Sequence, residues 1–431
     1  MSFDIQTLSL SEICTDISYG YTASANTEIV GPKFLRITDI QGGVVDWDTV
    51  PYCEIPESKL NKNLLSQGDI VVARTGNSTG ENYMFSGDEP SVFASYLIRF
   101  KVDSNIANPH YVWLQMRTKR WWDFVSGAKS GSAQAGANAT VLGKFEVTLP
   151  PKNVQDYVVD VISCLSSKIS LNTSTNQTLE EMAQAIFKSW FVDFDPVKAK
   201  MNGEQPEGMD AATASLFPEK LVESELGLIP EGWKIQNTGD LFDVKDGTHD
   251  SPKKAEEGHY LVTSKHITGG KIDTSSAYLI SDADFEKVNQ RSKVDTFDIL
   301  LTMIGTVGEV VVVYDNPVEF AIKNVGLFKT SQRPELVWLF YWHLQSFKMK
   351  NYLEVRMAGT TQQYLTLKTL RTIPVILPSE DLLTRFNEMM SPLMEKISDN
   401  HKQNHTLSSL RDTLLPKLLS GEIELAEKQE N

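Results

Sequence analysis

Cysteine is scarce, with three among 431 residues. Cys14, Cys53 and Cys164 are odd in number, far apart and without CxxC spacing, so neither a disulfide framework nor a cysteine-built zinc site is expected. A reducing, cytoplasmic setting fits that usage. The opening Met-Ser-Phe-Asp-Ile lacks a basic region followed by an apolar stretch, and no signal peptide is expected. Long apolar runs are missing as well. The longest charge-free one, near Ile299–Gly308, is about half a membrane span and reads as a buried strand, so no membrane partner is expected. Catalytic fingerprints are missing too: no GxxxxGK[ST] phosphate loop, no GxGxxG after a strand, and no Asn-Pro-Pro-aromatic stretch. Positive charge is in short supply, 41 Lys+Arg against 56 Asp+Glu, for a formal net charge of −15. At first sight that balance argues against a nucleic-acid partner.

What is present is a chain of two to four domains' length at about 150 residues each. Its 41% hydrophobic and 23% charged residues exclude wholesale disorder. The chain also contains itself twice. Ile40-Gln41-Gly42-Gly43 and Asp46 match Ile267-Thr268-Gly269-Gly270 and Asp273 at an offset of 227. Asp69-Ile70-Val71-Val72 with Gly76 matches Asp298-Ile299-Leu300-Leu301 with Gly305 at 229. Gly131-Ser132-Ala133-Gln134 and Gly359-Thr360-Thr361-Gln362 lie 228 apart, as do Leu149-Pro150 and Leu377-Pro378. Matches in one order at a nearly constant offset mark a tandem duplication of a unit of about 228 residues.

Each copy begins with β-rich runs broken by Gly, Asn and Asp turns, and a helix is expected after the capping pair Asn108-Pro109. Each ends in a stripe at alternating steps of four and three. In copy one it runs Val158, Ile162, Leu165, Ile169, Asn172, Asn176, Leu179, Ala183, Ile186, Trp190. In copy two it runs Phe386, Met390, Leu393, Ile397, Asn400, Asn404, Leu407, Arg411, Leu414, Leu418. The fold class expected is therefore α+β: a duplicated α/β module plus long helix, the two helices pairing as an antiparallel coiled coil with pseudo-twofold symmetry. Pro392 predicts a kink or a broken first turn. Asn172 and Asn176 flank the midpoint of one stripe, Asn400 and Asn404 that of the other, and antiparallel pairing would bring them into one register-setting polar layer. Stripes of this length span roughly 50 Å, a separation at which two modules could read two half-sites on DNA.

The chain thus resembles the specificity subunit of type I restriction-modification enzymes. Gly227-Leu228-Ile229-Pro230-Glu231-Gly232-Trp233, Leu414-Leu415-Pro416-Lys417-Leu418-Leu419-Ser420-Gly421-Glu422-Ile423 and Phe187-Lys188-Ser189-Trp190-Phe191-Val192-Asp193-Phe194 are similar to the family's characteristic segments, and the resemblance covers essentially the whole chain. It implies a target recognition domain over 1–150, a conserved helix over 151–200 and an acidic linker over 201–232. A second recognition domain over 233–378, a second helix over 379–425 and a tail over 426–431 would follow. It also implies a non-catalytic subunit whose partners are double-stranded DNA, two adenine methyltransferase subunits and restriction motor-nuclease subunits. S-adenosylmethionine, ATP and Mg2+ would be bound by those partners and not by this chain.

Base reading needs Arg or Lys for guanine and Asn or Gln for adenine, with hydroxyls and backbone N–H groups on phosphates. Two places recur in both copies. The turn after the central strand offers Arg74, Thr75 and Asn77 in one copy, Thr302 and Thr306 in the other. The second loop offers Lys129, Ser130, Ser132 and Gln134, then Thr360, Thr361, Gln362, Gln363 and Tyr364. Arg36 and Thr38 occupy positions matching Ser264, Lys265 and His266. Arg117, Lys119, Arg120, Lys348 and Lys350 are candidate phosphate contacts, although cations at a helix C-terminus also suit its dipole. Asp284 with Glu286-Lys287 reads as a charged surface loop and His401 with His405 as a solvated helix face, so neither is expected to hold a metal. A duplicated repressor and an acidic protein-binding scaffold remain alternative readings. The net charge does not decide against DNA, because residues 202–233 carry seven acids against one Lys, and residues 420–431 four against one. Weak binding by the lone subunit is the expected consequence.

Overall fold

The computed structural model describes residues 5–130, 137–359 and 363–423. The chain divides into two compact units, Met1–Leu171 with Gln403–Asn431, and Asn172–Lys402. In the first unit a four-stranded antiparallel sheet has the order Cys14–Tyr19, Leu97–Val102, Ile70–Ala73, Asn82–Met84. The β-branched run Ile70–Ala73 is wholly buried, flanked on both sides, as an inner strand requires. Lys33–Leu35 and Ser91–Phe93 pair in parallel. The first strand, Gln6–Ser9, pairs with the last, Glu146–Leu149, setting Gln6 opposite Leu149. The helix expected after Asn108 covers Pro109–Gln115, and the Asn108 side chain accepts from the His110 N–H at 2.9 Å.

The second unit repeats this plan and adds strands to it, Leu279–Ile280 pairing beside His259–Val262. Its sheet has the order Val244–Asp246, Val325–Phe328, Ile299–Thr302, Val310–Val312. His259–Val262 pairs in parallel with Phe320–Ile322. Lys234–Asn237 pairs with Pro374–Leu377, Lys234 opposite Leu377, so both ends of this closing pair stand 228 residues after their counterparts. A shared crossing explains one glycine in each copy. A Cβ on Gly20 would lie 2.1 Å from the Phe93 carbonyl oxygen, and one on Gly247 2.5 Å from that of Ile322.

Two segments are more ordered than the sequence suggested. Asp284, Glu286 and Lys287 sit in a helix, Asp282–Ser292, whose start is fixed by Ser281 Oγ accepting from the Asp284 N–H at 3.2 Å. The acidic stretch 201–232 is folded, with a helix Ala211–Ser215 and a hairpin of Leu221–Ser224 with Gly227–Pro230. Phe217 anchors it, edge-on to Trp190 at 5.2 Å between ring centroids. Two segments that carry the family resemblance also meet: Phe191 and Phe194 pack on Trp233, each at 5.7 Å, while Phe191 meets Phe386 at 4.8 Å. The first long helix widens to a π-turn over Lys188–Val192 to deliver these rings.

The long helices are Lys152–Phe187 and Glu380–Ser420. In the second unit they run antiparallel: Phe187 lies beside Phe386, while Asn176 meets Asn400 and Ile397. Asn400 Nδ2 donates to Asn176 Oδ1 at 2.7 Å, and Asn176 Nδ2 to the Ile397 carbonyl at 3.1 Å. In the first unit Asn404 Nδ2 donates to the Ile169 carbonyl at 3.4 Å, and Val158, Ile162 and Leu418 share one core. Every stripe residue is buried or half-buried. The expected broken turn at Pro392 does not occur. The helix starts twelve residues earlier and runs through it; Pro392 is on the exposed face, where water can serve the carbonyl that loses its donor. His401 and His405 do not share one solvated face: His405 is exposed, whereas burial, aided by Lys271, pushes half-buried His401 down to about 4. No helix among the described residues is long and apolar enough to cross a membrane.

Asn400→Ala would leave the buried Asn176 carbonyl without its donor, and should cost about 1–3 kcal/mol of stability in urea unfolding. Unchanged stability would mean that the amides do not depend on each other. A pH effect follows from His343, whose Nε2 lies 2.9 Å from the Pro374 carbonyl and whose pKa burial lowers to about 4. The unfolded chain takes up this proton near pH 6.5 and the folded chain does not, so stability should fall as pH drops from about 6.5 toward 4. A denaturation series with His343→Gln should show a shallower fall; an identical slope would exclude this histidine as a source.

Candidate nucleic-acid interface

The structure brings the two recurring loops of each copy together by the same backbone bond. The Ala137 N–H donates to the Arg74 carbonyl at 3.0 Å, and the Leu365 N–H to the Met303 carbonyl at 2.9 Å. Tyr364 further bridges to Ile304 and Ala358. In copy one the turn is held by left-handed Gly76 and Gly80 and by the Thr79 hydroxyl donating to the Gly76 carbonyl at 2.7 Å. That leaves Thr75 and Asn77 exposed. Arg74 Nε donates to the Ser95 carbonyl, and its guanidinium lies 5.0 Å from the centre of the Tyr19 ring. Tyr19 Oη in turn accepts from the Ala139 N–H at 3.1 Å. Ser132, Gln134, Thr360, Thr361 and Gln362 lie outside the described residues, and Lys129 and Ser130 close the helix Lys119–Ser130. Gln363 and Tyr364 are exposed.

Three of the expected contact residues are committed elsewhere. Thr302 is fully buried: its hydroxyl donates to the Thr306 carbonyl and accepts from the Glu309 N–H at 2.9 Å, so it closes the turn and cannot face a ligand. Thr306 itself is exposed. His266 is 2% exposed and turned inward, its Nδ1 accepting from the Thr263 N–H at 2.9 Å as a cap. Burial, aided by Lys265, lowers its pKa. Arg117 is half-buried, with Nη2 donating to the Gly42 carbonyl at 2.6 Å and its charge over the Trp113 ring, so it fastens a turn instead of a phosphate.

The remaining cations are more available. Lys265, Lys348 and Lys350 are exposed, and Ser264 beside Lys265 is half-buried. Lys119 pairs with Asp123 at the surface, and Arg120 donates to Thr148 Oγ1 at 2.9 Å. Arg36 grips Asp39 through two hydrogen bonds of 3.0 and 2.7 Å, an ion pair that raises its pKa and would have to open for base reading. Thr38 is exposed beside it.

Sequence reasoning missed a cleft of about 520 Å³ in the second unit, lined by Thr248, Ser251, Lys253, Lys287 and Arg291. Its hydroxyls and cations suit phosphate, although Asp250 and Asp284 share the lining and Arg291 pairs with Asp246. The available signal was Gly247-Thr248 followed by Lys253-Lys254, at the offset that relates Gly247 to Gly20. Among the described residues no group of three or more His, Cys, Asp or Glu could hold a metal ion.

A folded module that occurs twice, with matched loops and different exposed side chains, is a duplicated recognition device, and comparison with known proteins identifies it. Residues 4–181 and again 230–407 match the type I restriction modification DNA specificity domain. The chain belongs to this family and carries two of its domains in tandem. It is 26% identical to the type I restriction enzyme HindI specificity subunit of Haemophilus influenzae, with 97% of this chain and 100% of that protein covered. It is also 26% identical to the MjaIX specificity subunit of Methanocaldococcus jannaschii, covering 74% and 69%. The crystal structure of a type I restriction-modification S subunit from M. genitalium superposes with a TM-score of 0.60 at 14% identity, covering 97% and 96% of the two chains, and shares the fold.

Two substitutions separate support from contact. Thr302→Val removes the hydroxyl that serves the Glu309 N–H and should lower stability by about 1–3 kcal/mol. Asn77→Ala, at an exposed position, should leave the melting temperature unchanged and weaken DNA binding by the assembled enzyme. Wild-type DNA binding by Asn77→Ala would remove the first turn from the interface.

Proposed function

We propose that this chain is the non-catalytic, sequence-reading subunit of a type I restriction-modification complex. Each specificity domain reads one half of a bipartite site in double-stranded DNA. The paired long helices set the gap between halves and dock two adenine methyltransferase subunits. Those subunits would bring S-adenosylmethionine and the methyl-transfer chemistry; motor-nuclease subunits would add ATP, Mg2+ and cleavage. A cytoplasmic location accords with such partners.

The observation that carries this reading is the pairing of a repeated backbone with unlike side chains. Exposed Thr75 and Asn77 in one copy answer to half-buried Ile304 and exposed Thr306 in the other, on turns closed by the same bond to the neighbouring loop. Two readers built alike but lined differently will prefer different sequences. The formal charge of −15 fits a subunit that holds DNA weakly until other subunits close around it.

The test is to insert one heptad into each long helix and map methylated adenines in DNA modified by the reconstituted complex. The two half-site sequences should stay the same while the gap between them changes. An unaltered gap would end the ruler interpretation, and altered half-sites would place specificity outside the two modules.

A further inference from the structure

The duplication permits a comparison of one turn with its own copy. In the first unit Gly42 and Gly43 are left-handed, and the Gly42 N–H donates to Glu81 Oε2 at 3.3 Å. The Arg117 guanidinium fills the space beside this turn. It bonds the Gly42 carbonyl, it feels the charge of Glu81, and a Cβ on Gly43 would lie 2.5 Å from its Nη1. The second unit repeats the frame: Gly269 and Gly270 are left-handed, and the Gly269 N–H donates to Glu309 Oε2 at 3.1 Å. Tyr341 stands 228 residues after Trp113, keeping a ring in place. At the position of Arg117, however, stands Gln345. The nearest atom to a Cβ on Gly270 is Tyr341 Oη at 3.7 Å.

The space left by the missing guanidinium is a cavity of about 550 Å³, lined by Gly269, Gly270, Glu309, Tyr341 and Gln345 together with Glu180, Glu354 and Lys350. Glu180 and Glu354 stand in the second unit where the first unit has Ser408 and Ser126, 228 residues away in the sequence. The second unit has therefore exchanged an internal arginine for glutamine and acquired two carboxylates, with Lys350 also in the lining and Lys271 acting on Glu180. Partial burial raises the Glu180 carboxyl, and the charge of Lys271 opposes that shift.

We infer that this cavity receives the guanidinium of an arginine side chain presented by a partner protein. The turn carbonyls and carboxylates supply acceptors for its fork of N–H donors, and the Tyr341 ring supplies the flat wall that Trp113 gives Arg117. A lysine ammonium lacks the planar fork and should fit less well.

Calorimetric titration of the full chain with N-acetyl-arginine methylamide, its lysine analogue and methylguanidine tests the assignment. The arginine compound should bind at least about tenfold more tightly than the lysine one. Gln345→Arg, which restores the first copy's arrangement, should abolish binding, and Glu180→Gln should weaken it about tenfold with the fold intact by circular dichroism. Methylguanidine binding as tightly as the capped arginine would support the site but point to a free guanidinium compound as its source. No heat with either guanidinium compound, equal binding of the lysine analogue, or unchanged binding by a folded Gln345→Arg would each overturn the inference.

Discussion

A buried amide pair constrains the helical part of the molecule. Asn176 and Asn400 are buried on two long helices, where Asn400 Nδ2 donates to Asn176 Oδ1 and Asn176 Nδ2 donates to the Ile397 carbonyl. An apolar stripe by itself tolerates a slide of one heptad, because the side chains are nearly interchangeable. A buried carboxamide does not, since any slide leaves it facing hydrocarbon at a cost of about 1–3 kcal/mol. The hydrogen bonds therefore convert a generic contact into one defined register. The aromatic group of Phe187, Phe191, Trp233 and Phe386 reinforces it in the second unit, where the helix end, the hairpin exit and the second helix share one core.

Each globular module is constrained by closure. Its first and last strands pair, Gln6 with Leu149 and Lys234 with Leu377, and the long helix departs directly from the last strand. The recognition loops are thus held by a frame whose ends are tied. The bond from Ala137 to Arg74, repeated from Leu365 to Met303, fixes one loop on the other. Exposed residues on such a frame can change with little consequence for folding, which is the physical condition for altering what is read without altering the reader.

Much of this was legible in the sequence because the duplication writes each element twice. The inner strand Ile70–Ala73, the cap at Asn108 and the stripe from Val158 to Trp190 each follow from local pattern and local chemistry. What escaped depends on contacts that a pattern does not contain. Thr302 and His266 carry groups suited to base reading, yet both are spent capping their own turns, and only the backbone path shows this. The acidic stretch looked like a linker because its charges are nearly all of one sign; it folds because Phe217 finds Trp190. The cationic cleft near Lys253 needs a loop and a helix that lie more than thirty residues apart in sequence, and no spacing rule joins them.

The two copies also show what duplication preserves. Asp69 and Asp298 are both buried at the start of the inner strand, each accepting a backbone N–H three residues earlier, from Ser66 and Asp295. The carboxylate is demanded by that turn, yet its countercharge differs: Arg99 on the adjoining strand in one copy, Lys329 just beyond the adjoining strand in the other. A buried carboxylate requires some cation, and the fold accepts either position. Selection has held the backbone requirement and let the side chain that meets it drift. The exchange of Arg117 for Gln345 breaks that pattern: the guanidinium is gone from this position, and Glu180, Glu354 and Lys350 line the space it left. Three carboxylates, Glu180, Glu309 and Glu354, against Lys350 in the cavity lining leave acceptors over for the guanidinium proposed above.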